Sequence, residues 1–313
     1  DRADDVDLLV LHPRAVIATP SQADSGAACG HSPRVEAWPT QDLADVLLET
    51  QLAAASAAAT ARDALSLAID AAAARLTQGG RLSYLGAGTS GRLAVLDAAE
   101  LPPTFDWPAD RAIALMAGGE RAIQFAVEGA EDDGPAAVTA LTEIGLTPAD
   151  VVIGVAASGR TPFTRAGLAH ARRLGALTIG VFNAADAPMA DDCEIALLAD
   201  TGAEIIAGST RMKAGTAQKI LLNCLSTGVM IRLGYVYRGR MVEMRPTNAK
   251  LHARAVAMVA DLTGATPIAA EAAFDAGGSI KCAVVMVTLG IDAKDALARL
   301  ADAGGNLARA LAK

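Results

Sequence analysis

Aromatic side chains are scarce, at 3% of the 313 residues, although the chain is 52% hydrophobic. Ala, Leu and Val supply the apolar content instead, which favours helices packed on a sheet because Ala and Leu are good helix formers. Runs of Lys and Arg are also missing, and the net charge is −8. Nucleic-acid binding needs a basic face, so nucleic acid is excluded as a partner. There are only four cysteines (Cys29, Cys193, Cys224 and Cys282), with no CxxC and no Cys/His ligand spacing. That excludes a zinc ribbon or disulfide framework and predicts a reduced, cytoplasmic compartment. No basic segment followed by an apolar one opens the chain, so no signal peptide is expected. The longest apolar stretch, Leu52 to Leu76, carries Arg62, Asp63, Asp70 and Arg75, which excludes a membrane span there.

What remains is enough chain to bury a full core. Residues 1–40 mix Asp, Pro, Ser and Gly without periodicity and read as a loosely ordered arm. Residues 41–78 are helical in pattern, read as running unbroken from Gln41 to Leu76, with Leu43, Val46 and Leu47 on one face. From 79 to 245, short apolar strands alternate with helices. The strands are expected at Leu82 to Leu85, Ala112 to Met116, Val151 to Ala156, Leu177 to Val181 and Ile195 to Leu198. Helices are expected at Ser90 to Ala99 and at about 120–128, 134–144 and 162–174, with a long apolar one from Arg211 to Leu233. Such alternation predicts an α/β fold with a parallel sheet flanked by helices, its ligands at the carboxyl ends of the strands. Residues 246–313 read as helices alone, separated by Gly-containing turns, and predict a C-terminal all-helical subdomain.

Three Gly/Ser/Thr segments could hold a phosphate. LGAGTSGR (Leu85 to Arg92) runs from a strand through glycines into a helix, where Gly88, Thr89 and Ser90 offer backbone and hydroxyl donors. AASGRTP (Ala156 to Pro162) repeats the construction with Ser158, Gly159 and Thr161, and AGSTRMKAG (Ala207 to Gly215) supplies Ser209, Thr210 and Lys213. Any one of these, taken alone, reads equally well as an ordinary helix cap; three together favour a phosphate site. Gly86, Gly88 and Gly91 also satisfy the G-x-G-x-x-G dinucleotide fingerprint. That reading needs an acidic residue at the end of the second strand, and Glu120 stands late, beyond Gly118 and Gly119. Two acidic positions complete the set. Glu100 is expected to follow the first loop's helix and Glu131 lies in EGAEDD, both on the loop side of the sheet.

LGAGTSGRLAVLDAAELPPTF, AGGERAIQFAVEGAEDD, AASGRTPF, GSTRMKAGTAQKILLNCLSTG and TNAKLHARA, taken in order, resemble the N-acetylmuramic acid 6-phosphate etherase family, from about Leu43 to the C-terminus. The resemblance implies a single sugar isomerase (SIS) domain with a five-stranded parallel sheet, and a homodimer with its site near the subunit interface. It implies loss of D-lactate from N-acetylmuramic acid 6-phosphate by elimination and water addition during cell-wall recycling, with no cofactor and no metal. The carboxylates it carries over are Glu100, assigned as acid, and Glu131, assigned as base. Phosphate would fall to Thr89, Ser90, Ser158 and Thr161. His252, in NAKLHARA, is a candidate to open the sugar ring. The chain departs from the family where DSGAACG and LLETQ replace an N-terminal Thr-Glu signature and an Asn-Glu-Asp triplet. Ala156 and Ala157 stand where SIS isomerases carry polar residues, so isomerase activity is not implied. A non-catalytic sugar-phosphate sensor, resembling glucokinase regulatory protein over the same strings, is the alternative.

Overall fold

The computed structural model describes residues 34–244, 246 and 248–312, and most of the expected N-terminal arm lies outside them. Helices α1 (Thr40–Thr60) and α2 (Arg62–Thr77) replace the single helix expected over 41–76, and the chain bends by 60° between them. Neither Gly nor Pro marks the break at Ala61. Both helices instead wrap one long helix, α8 (Lys213–Leu233), and alanines at 54, 58, 61, 68 and 72 allow the close approach.

The centre is a five-stranded parallel sheet of β1 (Leu82–Gly86), β2 (Ala112–Met116), β3 (Val151–Val155), β4 (Leu177–Phe182) and β5 (Ile195–Leu198), in spatial order β2-β1-β3-β4-β5. The strand expectations hold to within a residue at each end. The connecting helices are α3 (Gly88–Phe105), α4 (Arg121–Gln124), α5 (Gly134–Glu143), α6 (Pro162–Arg173) and α7 (Met189–Asp192). Strand side chains alternate between two cores. Val151, Ile153 and Val155 face α1, α2, α3 and α8, whereas Leu85 and Val152 face α5 and α6. The segment expected as a helix over 120–128 is helical only at α4.

Strand order reverses beside β1. The chain leaves β1 for β2 on one side and returns to β3 on the other, with Gly86 in register with both Met116 and Val155. The carboxyl ends of β1 and β3 therefore flank the topological switch point, where open α/β sheets bind ligands. At the opposite end of these strands, buried Asp150 accepts from Arg81 Nη2 at 2.7 Å and from the backbone N–H groups of Arg81 and Thr147. Burial pushes its carboxyl up, but the Arg81 guanidinium and the two amides outweigh that and hold it below the usual carboxylate range.

Beyond α8 a short hairpin, β6 (Val236–Tyr237) and β7 (Arg240–Met241), leads into α9 (Ala249–Thr263), α10 (Pro267–Gly277), α11 (Ile280–Leu289), α12 (Ala293–Asp302) and α13 (Leu307–Leu311). These pack around their own core of Val259, Phe274, Val285 and Leu300. Asn248, Thr266, Ser279, Asp292 and Asn306 cap the five helices through side-chain hydrogen bonds to backbone N–H groups. No single helix among the described residues is long and apolar enough to cross a membrane.

Candidate functional site

The first phosphate loop joins β1 to α3 with no spare room. A Cβ on Gly86 would lie 2.7 Å from the Gly91 Cα, and one on Gly91 would lie 2.6 Å from the Gly86 oxygen. These glycines let the helix start directly on the strand end. The fingerprint's spacing has that packing cause, and Glu120 sits past the end of β2 at the start of α4, so the acidic residue a dinucleotide needs at the strand end is missing. The start of α3 points N–H groups without helical partners into the crevice. The Thr89 hydroxyl has no protein partner among the described residues. Ser90 differs: it donates to Gln218 Oε1 at 2.9 Å, Gln218 Nε2 donates to Asn183 Oδ1, and Asn183 Nδ2 donates to the Ala199 carbonyl. The Ala199 carbonyl can only accept, so it orients both amides in turn and leaves Ser90 as donor. Ser90 therefore offers a ligand its backbone N–H, its hydroxyl proton being engaged.

Across the crevice, after β3, Ser158 Oγ accepts from the Arg160 N–H at 3.2 Å and keeps its own proton to donate. Thr161 stands before α6 and makes no side-chain cap bond. Gly159 has φ +62°, and a Cβ there would meet Ala187 at 2.4 Å, so only glycine fits this turn. The third loop is built differently. The N–H groups of Lys213 and Ala214 donate to the two carboxylate oxygens of Glu204, at 3.2 and 3.0 Å, and Lys213 Nζ donates to the Ala203 carbonyl. Glu204 is 1% exposed. The anion position at the α8 N-terminus is thus filled by the protein's own carboxylate, with Lys213 at that internal cap and Ser209 and Thr210 in the turn leading to it. Glu204 was not legible as a cap because it stands nine residues from the helix it serves.

Glu131 is on the expected side of the sheet. It lies in a 3-10 turn (Ala130–Asp132) and opens with Glu128 into a cavity of about 200 Å³ lined by Gly88, Arg92 and Phe125. Arg92 shapes that cavity by donating to the carbonyls of Ala122 and Ile123. Glu100 is not where it was expected. Helix α3 does not end before it but continues through Pro102 and Pro103 to Phe105, anchored by buried Leu101 and Phe105 and stopped by Asp106 at φ 55°. Glu100 therefore lies twelve residues along the helix, ~18 Å from Gly88 at 1.5 Å per residue. It opens into a second cavity of about 390 Å³ with Leu96, Lys219, Asn223 and Thr227. Beneath it, Asp97 accepts from Tyr84, Asn223 and Ser226 at 2.9, 2.7 and 3.1 Å, locking β1, α3 and α8 together. Burial, and then the Asp97 charge, push the Tyr84 phenol well above its usual range, so it stays a donor.

His252 lines neither cavity; it sits on α9, 3.4 Å from Asp275 and edge-on to Phe274. Among the described residues no three His, Cys, Asp or Glu side chains converge as a metal site would require. Glu204, Gln218, Asn183 and Asp97 were missed by sequence reasoning, because their partners are distant in the chain.

Residues 64–172 match the glucokinase regulatory protein N-terminal SIS domain, and residues 136–227 match the SIS domain. The chain is similar to a phosphoheptose isomerase structure from Francisella tularensis, with TM-score 0.46 and 15% identity over 61% of this chain and 98% of that one. An N-acetylmuramic acid 6-phosphate etherase of Serratia proteamaculans is 49% identical over 80% of this chain and 84% of its own length. One of Deinococcus radiodurans is 52% identical over 266 residues, covering 85% of this chain and 87% of the relative. At that identity and coverage, the chain belongs to the N-acetylmuramic acid 6-phosphate etherase family.

Proposed function

We propose that this chain is a carbon–oxygen lyase that converts N-acetylmuramic acid 6-phosphate and water to N-acetylglucosamine 6-phosphate and D-lactate. The observation that carries the reading is the placement of Glu131 in one cavity with Gly88, at the α3 N-terminus beside the switch point. A phosphate bound by Thr89, the Ser90 N–H, Ser158 and Thr161 would hold the sugar within reach of a carboxylate. In the open-chain aldehyde the hydrogen on carbon two is acidic. Glu131 takes that proton, the C–H pair becomes the C2–C3 double bond, and the C3–O bond breaks as Glu100 gives its proton to the departing lactyl oxygen. Water then adds at C3, returning a proton to Glu100, while C2 takes its proton from Glu131. Elimination followed by hydration leaves the overall oxidation level unchanged, so the reaction calls for no redox cofactor. Each positioned proton transfer contributes roughly 100- to 10,000-fold.

The same reading places the enzyme in the cytoplasm as a homodimer, working in cell-wall amino-sugar recycling. The match to the glucokinase regulatory protein SIS domain supports a second reading, a sensor that binds a sugar phosphate without turning it over. One assay separates them. Incubated with N-acetylmuramic acid 6-phosphate and EDTA, the protein should release D-lactate and N-acetylglucosamine 6-phosphate in equal amounts. Saturable binding with no lactate would make it a sensor, and activity restored only by added zinc or magnesium would refute metal-free chemistry.

A further inference from the structure

The proposed substrate carries two anions, and the two phosphate loops receive only one of them. The other, the lactyl carboxylate, hangs from the oxygen on C3, next to the carbon whose proton Glu131 removes. It must therefore enter the cavity that Glu131 lines. That cavity already holds two carboxyl groups, Glu128 and Glu131. A third carboxylate set among them without a cation would be repelled, the more strongly as water is excluded.

Among the described residues, Arg92 is the only cation in the lining of that cavity. It stands one turn after Gly88 on the same face of α3, ~6 Å along the axis. The carbon chain between the sugar's phosphate and its lactyl carboxylate is long enough to span that offset, so a substrate lying along α3 can reach both. The guanidinium is only partly occupied. Nε donates to the Ile123 carbonyl at 2.9 Å, and Nη2 donates to those of Ala122 and Phe125 at 2.8 and 3.4 Å. Holding the end of α4 accounts for these bonds, but all three acceptors are neutral and none offsets the charge. Nη1, with two N–H groups, has no partner among the described residues. Phe125 and Val127, in the same lining, are 60% and 37% exposed and offer an apolar wall to the lactyl methyl group. We infer that Arg92 binds the lactyl carboxylate and so selects ethers that carry an acid, an assignment that rests on the proposed etherase reading.

The test compares N-acetylmuramic acid 6-phosphate with its lactamide, in which a neutral amide of the same size replaces the lactyl carboxylate. The full-length parent should favour the acid by at least about 10-fold in kcat/KM, the difference lying in KM, because the amide forfeits a charge-assisted bond. Arg92→Gln removes the charge yet can still donate to one α4 carbonyl, and it should lose the acid preference, its two kcat/KM values agreeing within about 2-fold. Arg92→Lys keeps the charge and should favour the acid more than Arg92→Gln does. Each ratio is taken within one preparation, so a partly unfolded variant loses both substrates alike and leaves the ratio unmoved. The parent's ratio is read without any variant. A parent that cleaves acid and amide equally well would overturn the inference while leaving the etherase reading intact, and so would an Arg92→Gln ratio equal to the parent's. Failure of the etherase reading looks different: a parent that releases neither lactate nor lactamide would refute both.

Discussion

A hydroxyl has one proton to donate, and Ser90 gives it to Gln218 whereas Ser158 keeps it. The two serines are alike in sequence, each at a glycine turn between a strand and a helix, but substitutions should separate them. On the proposed function, Ser158→Ala and Thr161→Val would each remove a donor to a doubly charged phosphate, worth about 1.5–3 kcal/mol. KM should rise roughly 10-fold or more for each, with kcat and the melting temperature near the parent's. Ser90→Ala instead strands a buried amide oxygen at the head of a chain of bonds reaching β5, and should cost about 1–3 kcal/mol of stability by chemical denaturation. A Ser158→Ala enzyme with unchanged KM would move the phosphate elsewhere. Residue type at a helix start was legible in the sequence. The direction of the Ser90 hydroxyl was not, because its partner lies 128 residues away.

Helix ends carry most of the difference between expectation and structure. The proline pair after Glu100 read as a stop, yet prolines in a last turn forfeit only bonds that buried Leu101 and Phe105 can offset, and α3 continues. That extra turn and a half lies beyond Glu100, whose distance from the loop side is set by the twelve residues of helix between it and Gly88. At α8, a Ser/Thr/Lys loop read as a phosphate cradle because nothing local marks Glu204 as the acceptor. Glu204→Gln should leave one acceptor oxygen for the two N–H groups and turn an NH2 donor toward the other, costing about 1–3 kcal/mol, measured by denaturant midpoint; an unchanged midpoint would mean the cap is dispensable. At the amino ends of β1 and β3, Asp150 is held below the usual carboxylate range by Arg81 and two amides. A depressed carboxyl stabilises the fold above its unfolded pKa and loses that contribution as pH falls through its folded one. Asp150→Asn should therefore cost about 3 kcal/mol near neutrality. The gap between variant and parent should narrow as the pH falls from about 5 to 2, and a gap that stays constant over that range would contradict the linkage.

For the whole molecule, hydrophobic periodicity was enough to place the five strands to within a residue and to separate α9 to α12, whose starts carry Asn, Thr, Ser and Asp caps and of which α9, α10 and α11 stop at glycines; the short α13 was not foreseen. Strand order was not written there. It follows from where β2 and β3 pair against β1, and that reversal makes the crevice in which the first two loops face each other. The expectation that both glutamates share the loop side failed because Glu131 lies in a turn at the loop side, whereas Glu100 stands at the far end of a helix that leads away from it. In the proposed division of labour, Glu131 removes the carbon-two proton and Glu100 protonates the departing oxygen. It is tested most directly by incubating Glu131→Gln and Glu100→Gln with N-acetylmuramic acid 6-phosphate in deuterated water, following carbon-two exchange by NMR and lactate by assay. Glu131→Gln should lose both signals, whereas Glu100→Gln should lose lactate release yet still exchange the proton, because deprotonation does not require the oxygen to leave. Exchange that persists in Glu131→Gln and vanishes in Glu100→Gln would contradict the assignment.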